Sequence, residues 1–209
     1  MVFSPMQSII FNDNAITPSK IVCVGRNYVA HIEELGNEIP DNMVVFNKPN
    51  SAITDILRSQ MAGQALHYEA ELAFMVEGGK LAAVAFGLDL TKRELQSELK
   101  NKGLPWERAK AFDGGALFSE FVPVPDDIEQ LCVQLCVDGK VRQEGGVALM
   151  SYRPATILEE LKSFITLEDG DVIMTGTPAG VGAIRTGELF EGAVLQGIER
   201  LVTASWVAQ

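Results

Sequence analysis

Histidine and cysteine are scarce in this chain of 209 residues, with two of the first and three of the second. Three cysteines make no even disulfide framework, and a reducing, cytoplasmic setting fits them best. Two histidines cannot build a His-rich zinc centre. Basic residues are also in short supply, 17 against 28 acidic ones, which leaves a formal net charge of −11. A chain this acidic offers no phosphate-tracking surface, so nucleic acid is not expected as a partner. No apolar run approaches the length that crosses a bilayer. The opening MVFSPMQSIIFNDNAITPSK has neither a basic leader nor a clean apolar core, so no membrane association or secretory signal is expected. The motifs G-x-G-x-x-G, G-x-x-x-x-G-K-S/T and G-x-S-x-G do not occur, which leaves dinucleotide, P-loop and serine-elbow chemistry without support.

What is there reads as one globular domain over 1–209, with 1–20 a short N-terminal segment. A 47% hydrophobic and 22% charged composition at this length buries a full core without staples. Strand patterns occupy 21–25, 43–47, 66–77, 81–89 and 172–175, and one or two more close the chain over 193–207. Asp138-Gly139 between alternating runs marks a hairpin over 132–141. Cys132 and Cys136 share a strand face with Gln134 and read as small buried thiols, as does Cys23. Helix patterns cover 28–35, stopped by Gly36, and 91–102, where Thr91 and Glu94 form a capping box. A third covers 154–165, with Pro154 in its first turn and a stripe of Ile157, Leu158, Leu161, Phe164 and Ile165. Strands outnumber helices, so the fold class is α+β and β-rich, built on a large mixed or antiparallel sheet system.

Four clusters could carry chemistry. On a strand, His67, Glu69 and Glu71 face one way and Tyr68, Ala70, Leu72, Phe74 and Val76 the other. Two like charges on one face are stable if the face is wet or if a cation sits between them. Asp89 ends an apolar strand, where it is either a helix N-terminal charge or a third oxygen ligand. Glu69, Glu71 and Asp89 together would suit Mg²⁺ or Mn²⁺ rather than zinc. His31 and Glu34 lie i, i+3 on a helix, either a surface pair or a carboxylate-supported general base. Lys110 sits between alanines, as a solvent-facing loop residue or a charge-stabilising cation. The loop Thr175-Gly176-Thr177-Pro178-Ala179-Gly180-Val181-Gly182 is a tight turn or a carboxylate-binding run of N–H groups and hydroxyls.

These pieces occur in a fixed order. Gly25-Arg26-Asn27-Tyr28 with His31 comes first, then His67-Tyr68-Glu69-Ala70-Glu71-Leu72, Leu88-Asp89-Leu90-Thr91, Lys110-Ala111-Phe112-Asp113, and the stretch Leu167-Glu168-Asp169-Gly170-Asp171 leading into Thr175-Gly176-Thr177-Pro178. The ordered set resembles the fumarylacetoacetate hydrolase family, and within it the short acylpyruvate hydrolase and oxaloacetate decarboxylase-like branch. Gly103-Leu104-Pro105-Trp106 and Arg142-Gln143-Glu144-Gly145 also look like that branch, and the likeness runs from about residue 21 to the C-terminus. It implies a mixed β-sandwich or roll with a few short helices, assembled as a homodimer. It implies Mg²⁺ or Mn²⁺ on Glu69, Glu71 and Asp89, and a catalytic set of His31, Glu34 and Lys110, with the His31–Glu34 dyad on a lid that orders with substrate. Arg26, Asn27, Tyr28, Arg93, Gln96, Gly176 and Thr177 match substrate positions. Residues 50–60 are more polar than the Gly/Pro-rich stretch common in the family, so the pocket rim departs from the pattern.

The implied substrate is a small 2-oxo acid and the implied intermediate its enolate. Hydrolytic C–C cleavage of acylpyruvates such as fumarylpyruvate or acetylpyruvate is the first expectation, because the dyad can activate water. Oxaloacetate decarboxylation, keto–enol tautomerisation or isomerisation of the 2-hydroxyhepta-2,4-diene-1,7-dioate type is the alternative on the same site.

Overall fold

The alternating segment that carries the acidic pair becomes the middle of a mixed sheet. The structure, a computed structural model, describes residues 6–34, 36 and 40–209. In spatial order the sheet runs Ala116–Phe118, Lys80–Asp89, Ala70–Glu77, Val172–Met174, Lys20–Gly25 and Val44–Pro49, with Val122–Pro123 also paired to Lys80–Asp89. Val172–Met174 runs parallel to Lys20–Gly25, and the other pairings are antiparallel. A second sheet, wholly antiparallel, is ordered Lys140–Gly146, Leu131–Val137, Leu189–Gln196 and Glu199–Val207. Asp138 and Gly139 join its first hairpin with φ of 50° and 71°, the left-handed pair that a two-residue turn between twisted strands requires.

Period-two alternation explains how the sheets meet. Tyr68, Ala70, Leu72, Phe74, Val84, Phe86 and Leu88 from the first sheet and its approach pack against Leu131, Val133, Leu135, Val137, Phe190 and Val194 from the second. Farther along that same face of the first sheet, Val22, Val24, Val76 and Ile173 are covered by the helix Pro154–Lys162 through Ile157, Leu158 and Leu161. The opposite face holds Ile21, Cys23, Ala73, Met75, Val172 and Met174. Cys132, Gln134 and Cys136 do share a face, but it is the outer one, and both thiols are half-buried rather than buried.

Three elements differ from the sequence expectation, each for a local reason. The strand expected over 66–77 is interrupted at Glu69: His67–Tyr68 pairs with Gly182–Ala183, and Ala70–Glu77 joins the large sheet. The helix expected from Thr91 begins as Arg93–Asn101 without a side-chain cap, because the Thr91 hydroxyl is drawn to Glu69 instead, at 3.0 Å. The helix expected over 154–165 stops at Lys162, which leaves Phe164 57% exposed and outside the apolar stripe. The first helix is Val29–Glu34; Leu35, its expected last residue, lies outside the described residues, and Gly36 has φ +60° as a post-helical glycine should.

Candidate active site

Antiparallel partners share a face, and the registers Glu71 with Gly87, Asp89 with Ala116 and Lys48 with Ile21 put three charged side chains on one side of the large sheet. That is the face away from the second sheet. Glu69, in the break between two pairings, turns to meet them. One carboxylate oxygen from each of Glu69, Glu71 and Asp89 lies within 4.8 Å of the others, and all three residues are buried. Burying three acids together is costly unless cations and donors compensate. Lys110 supplies most of that, with Nζ 2.8 Å from Glu69 Oε2, 2.6 Å from Asp89 Oδ2 and 2.6 Å from Thr91 Oγ1. Lys48 Nζ lies 2.8 Å from Asp89 Oδ1. Arg93 pairs with Glu69 through one guanidinium nitrogen and donates to Gln96 Oε1 at 2.7 Å through another.

Glu71 is different. It is held by a neutral donor, the Gly176 N–H at 2.7 Å, and by no salt bridge among the described residues. Burial, then the charges of Asp89 and Glu69, push its carboxyl well above the ordinary value. Burial also pushes Glu69 up, but Lys110, Arg93 and His31 outweigh it and hold Glu69 well below the usual carboxylate range. Burial acts downward on Lys110, yet Asp89 and Glu69 raise it, so its ammonium stays charged.

His31 lies 7% exposed on the first helix, with Nδ1 3.2 Å from Glu34 Oε2. Glu34 accepts in turn from the Gly180 N–H, at 3.0 Å and 3.2 Å. Gly180 has φ +100°, and a Cβ there would stand 1.9 Å from the Arg142 carbonyl oxygen, so the loop can approach the dyad only with glycine. The cavity between these groups is lined by Arg26, His31, Phe46, Glu69, Glu71, Asp89, Arg93, Gln96, Lys100, Trp106, Lys110, Gly176 and Thr177, among others. The structure thus brings together the acidic triad, Lys110, His31 and five of the substrate positions read from the sequence.

Asn27 and Tyr28 do not line it. The Asn27 carboxamide donates to the carbonyls of Tyr152 at 2.9 Å and Thr175 at 2.8 Å and accepts from the Tyr152 N–H at 2.7 Å, a staple between three segments. Tyr28 is packed in the core between the sheets. His67, on the approach strand, lies near Arg93; burial and then that charge lower its pKa. Lys48, Phe46 and Lys100 escaped the sequence reading, and Thr91 and Gln143 stood in its motifs without a site role. Gln143 accepts from the Ala70 N–H at 2.9 Å and donates to Thr177 Oγ1 and the Pro178 carbonyl, both at 2.7 Å, tying the second sheet to the loop. Its position in Arg142-Gln143-Glu144-Gly145 was the one signal for it.

An all-oxygen donor set with one carboxylate lacking a salt bridge fits a hard divalent ion such as Mg²⁺ or Mn²⁺.

The signature of the fumarylacetoacetate (FAA) hydrolase C-terminal family matches residues 20–203. Oxaloacetate tautomerase YcgM of Escherichia coli (strain K12) is 38% identical over 188 residues, covering 81% of this chain and 85% of that protein. A candidate fumarylacetoacetate isomerase/hydrolase from Oleispira antarctica superposes with a TM-score of 0.92 at 34% identity, over 98% of this chain and 100% of that one. Fumarylpyruvate hydrolase from Pseudomonas aeruginosa, solved in complex with Mn²⁺ and pyruvate, superposes with a TM-score of 0.83 at 28% identity, each chain covered in full. With an ordered motif set, a shared mixed-sheet fold and a match over most of its length, this chain belongs to the fumarylacetoacetate hydrolase family.

Proposed function

We propose that this chain is a divalent-metal-dependent enzyme that forms and reprotonates the enolate of a small 2-oxo acid, with keto–enol tautomerisation of oxaloacetate as its first reaction. One observation carries the reading: the imidazole of His31 shares a cavity with the acidic triad and Lys110. The 38% identity to an oxaloacetate tautomerase supports the choice among enolate reactions. Mg²⁺ or Mn²⁺ held by Glu69, Glu71 and Asp89 would supply Lewis acidity toward the 2-oxo group.

The chain's own residues do the rest. Arg26, Arg93, Gln96 and Thr177, with the Gly176 segment, line the space that the substrate's carboxylate ends would fill. The charged Lys110 ammonium faces developing negative charge at the enolate oxygen. With Nδ1 on Glu34, the His31 ring has Nε2 left to take a proton from the carbon beside the oxo group and return it.

A second reading keeps the same residues and lets His31 activate water, so that an acylpyruvate is cleaved to pyruvate and an acid. The likeness to a fumarylpyruvate hydrolase favours it. Ultraviolet decay of oxaloacetate enol, followed beside pyruvate release from acetylpyruvate, fumarylpyruvate and oxaloacetate with Mg²⁺, separates the two. Faster enol decay, abolished by a strong chelator, is expected. Pyruvate release from an acylpyruvate with no effect on the enol would overturn the first reading in favour of the second.

The proposal extends to one catalytic domain, a homodimer and a reducing, cytoplasmic setting. The cysteines Cys23, Cys132 and Cys136 are unpaired, in keeping with that setting. No helix among the described residues is long and apolar enough to cross a membrane. Sedimentation at micromolar concentration giving only a species near the 22.7 kDa chain mass would count against the dimer.

A further inference from the structure

Lys48 is the next-to-last residue of its strand, and its side chain has no solvent exposure. It is not among the residues that line the cavity. A lysine ammonium has three N–H donors and no acceptor. Here two carbonyl acceptors meet it, Leu90 at 3.2 Å and, in shorter contact, Lys110, while Asp89 Oδ1 lies 2.8 Å away as an ion-pair partner without hydrogen-bond geometry. The Phe112 ring stands 5.4 Å away on another side. The mount is closely fitted, since a Cβ at Gly115 would lie 3.2 Å from Lys48 Nζ and 2.9 Å from the Phe112 carbonyl oxygen.

Lys48 thus contacts two parts of the site at once. It takes one oxygen of Asp89, while the other, Oδ2, faces Lys110 at 2.6 Å. It also holds the main chain of Lys110, whose side chain bridges Glu69 and Asp89. A carboxylate with an ammonium ion-paired at each oxygen is held in one orientation, and a lysine hydrogen-bonded at its own carbonyl has its reach fixed. We propose that Lys48 is a positioning residue that sets the orientation of Asp89 and the placement of Lys110, so that the acidic triad is pre-formed for a divalent ion. The proposal rests on the metal reading of Glu69, Glu71 and Asp89.

The rival is that Lys48 only neutralises a buried negative charge. The two differ in sign. Removing a cation beside a metal ligand makes the site more negative, so a mere counter-charge predicts equal or tighter metal binding in Lys48→Met. A positioning residue predicts weaker binding, because groups that orient metal ligands are worth about 10–100-fold in affinity or activity. Mn²⁺ titration by electron paramagnetic resonance reads this without turnover, and circular dichroism with thermal melting checks the fold. The expected result is a rise of about 10–100-fold in the Mn²⁺ Kd for Lys48→Met, with a smaller rise for Gly115→Ala, which keeps every charge and crowds the ammonium. At saturating Mn²⁺, kcat should fall while KM stays close to wild type, since Lys48 does not reach the substrate space. A folded Lys48→Met with unchanged or tighter Mn²⁺ binding would overturn the positioning role alone, whereas wild-type protein that binds no Mn²⁺ would overturn the metal reading itself. Failure of both Lys48→Met and Lys48→Gln to fold, with Gly115→Ala binding Mn²⁺ like wild type, would also overturn the positioning role and leave Lys48 a core counter-charge.

Discussion

Raising the pH should tighten divalent-metal binding, and Glu71 is the reason. Its carboxyl is pushed well above the ordinary value by burial first, then by Asp89 and Glu69. The three acids offer oxygens within 4.8 Å of one another. Two unit charges at about that separation repel by about 3 kcal/mol at an effective dielectric constant near 20. The offsetting contact is the Gly176 N–H at 2.7 Å, and a hydrogen bond to a charged group contributes about 1.5–3 kcal/mol. Against burial and two charged neighbours that is too little, so the metal-free chain favours protonated Glu71. A metal ligand must be deprotonated, so binding expels the proton. Below the Glu71 pKa, the Mn²⁺ Kd should therefore fall about tenfold for each unit of rising pH. Calorimetry in two buffers of different ionisation enthalpy should read close to one proton released per ion at mildly acidic pH. Glu71→Gln should remove that release together with most of the affinity. A Kd that stays flat across mildly acidic pH, with no buffer-dependent heat there, would refute the reasoning, because Glu71 would then already be ionised.

If His31 moves the proton, His31→Ala should cut enol–keto conversion and any acylpyruvate cleavage by about 10²–10⁴-fold, while metal-assisted decarboxylation of oxaloacetate, which needs no base, loses less; equal small losses in all three would place the base elsewhere. Asp171 is fully buried and accepts from the N–H groups of Ser19, Lys20 and Glu168, the Ser19 hydroxyl and the Lys20 ammonium. Burial pushes its pKa up, but the bonds from Lys20, Glu168 and Ser19 prevail and lower it. A depressed folded pKa contributes stability above the unfolded value that is lost as pH falls through the folded one. Asp171→Asn should therefore destabilise at neutral pH by about 1.5–3 kcal/mol, with the gap to wild type closing only below about pH 4; urea melts that differ equally at every pH would contradict this.

The motif order alone carried the family, and strand periodicity carried the face of Tyr68, Ala70, Leu72 and Phe74, because both are local properties of the chain. The hairpin at Asp138-Gly139 was legible for the same reason: its left-handed φ values are demanded by two adjacent residues. Thr91 shows where local reading fails. Thr91 and Glu94 have the spacing of a capping box, but a hydroxyl 3.0 Å from Glu69 and 2.6 Å from Lys110 has a charged partner instead. Asn27 and Tyr28 sit in a recognised motif, yet one staples the backbone of Tyr152 and Thr175 and the other fills the core.

The sequence by itself determined the β-rich class, Glu69 and Glu71 on one face and the pairing of His31 with Glu34, since spacing of two or three residues fixes which side chains are neighbours on a strand or helix, while Asp89 joined the two glutamates as a candidate ligand through the ordered motif set and not through spacing. Only the tertiary structure decided that Lys48, Lys110 and Arg93 converge on those acids from three separate segments. Nothing in a strand ending Lys48-Pro49 distinguishes a buried ammonium from a surface one. That distinction depends on register with Ile21 and on the contact with Asp89, 41 positions away in the numbering, and contacts between distant segments leave no period in the chain.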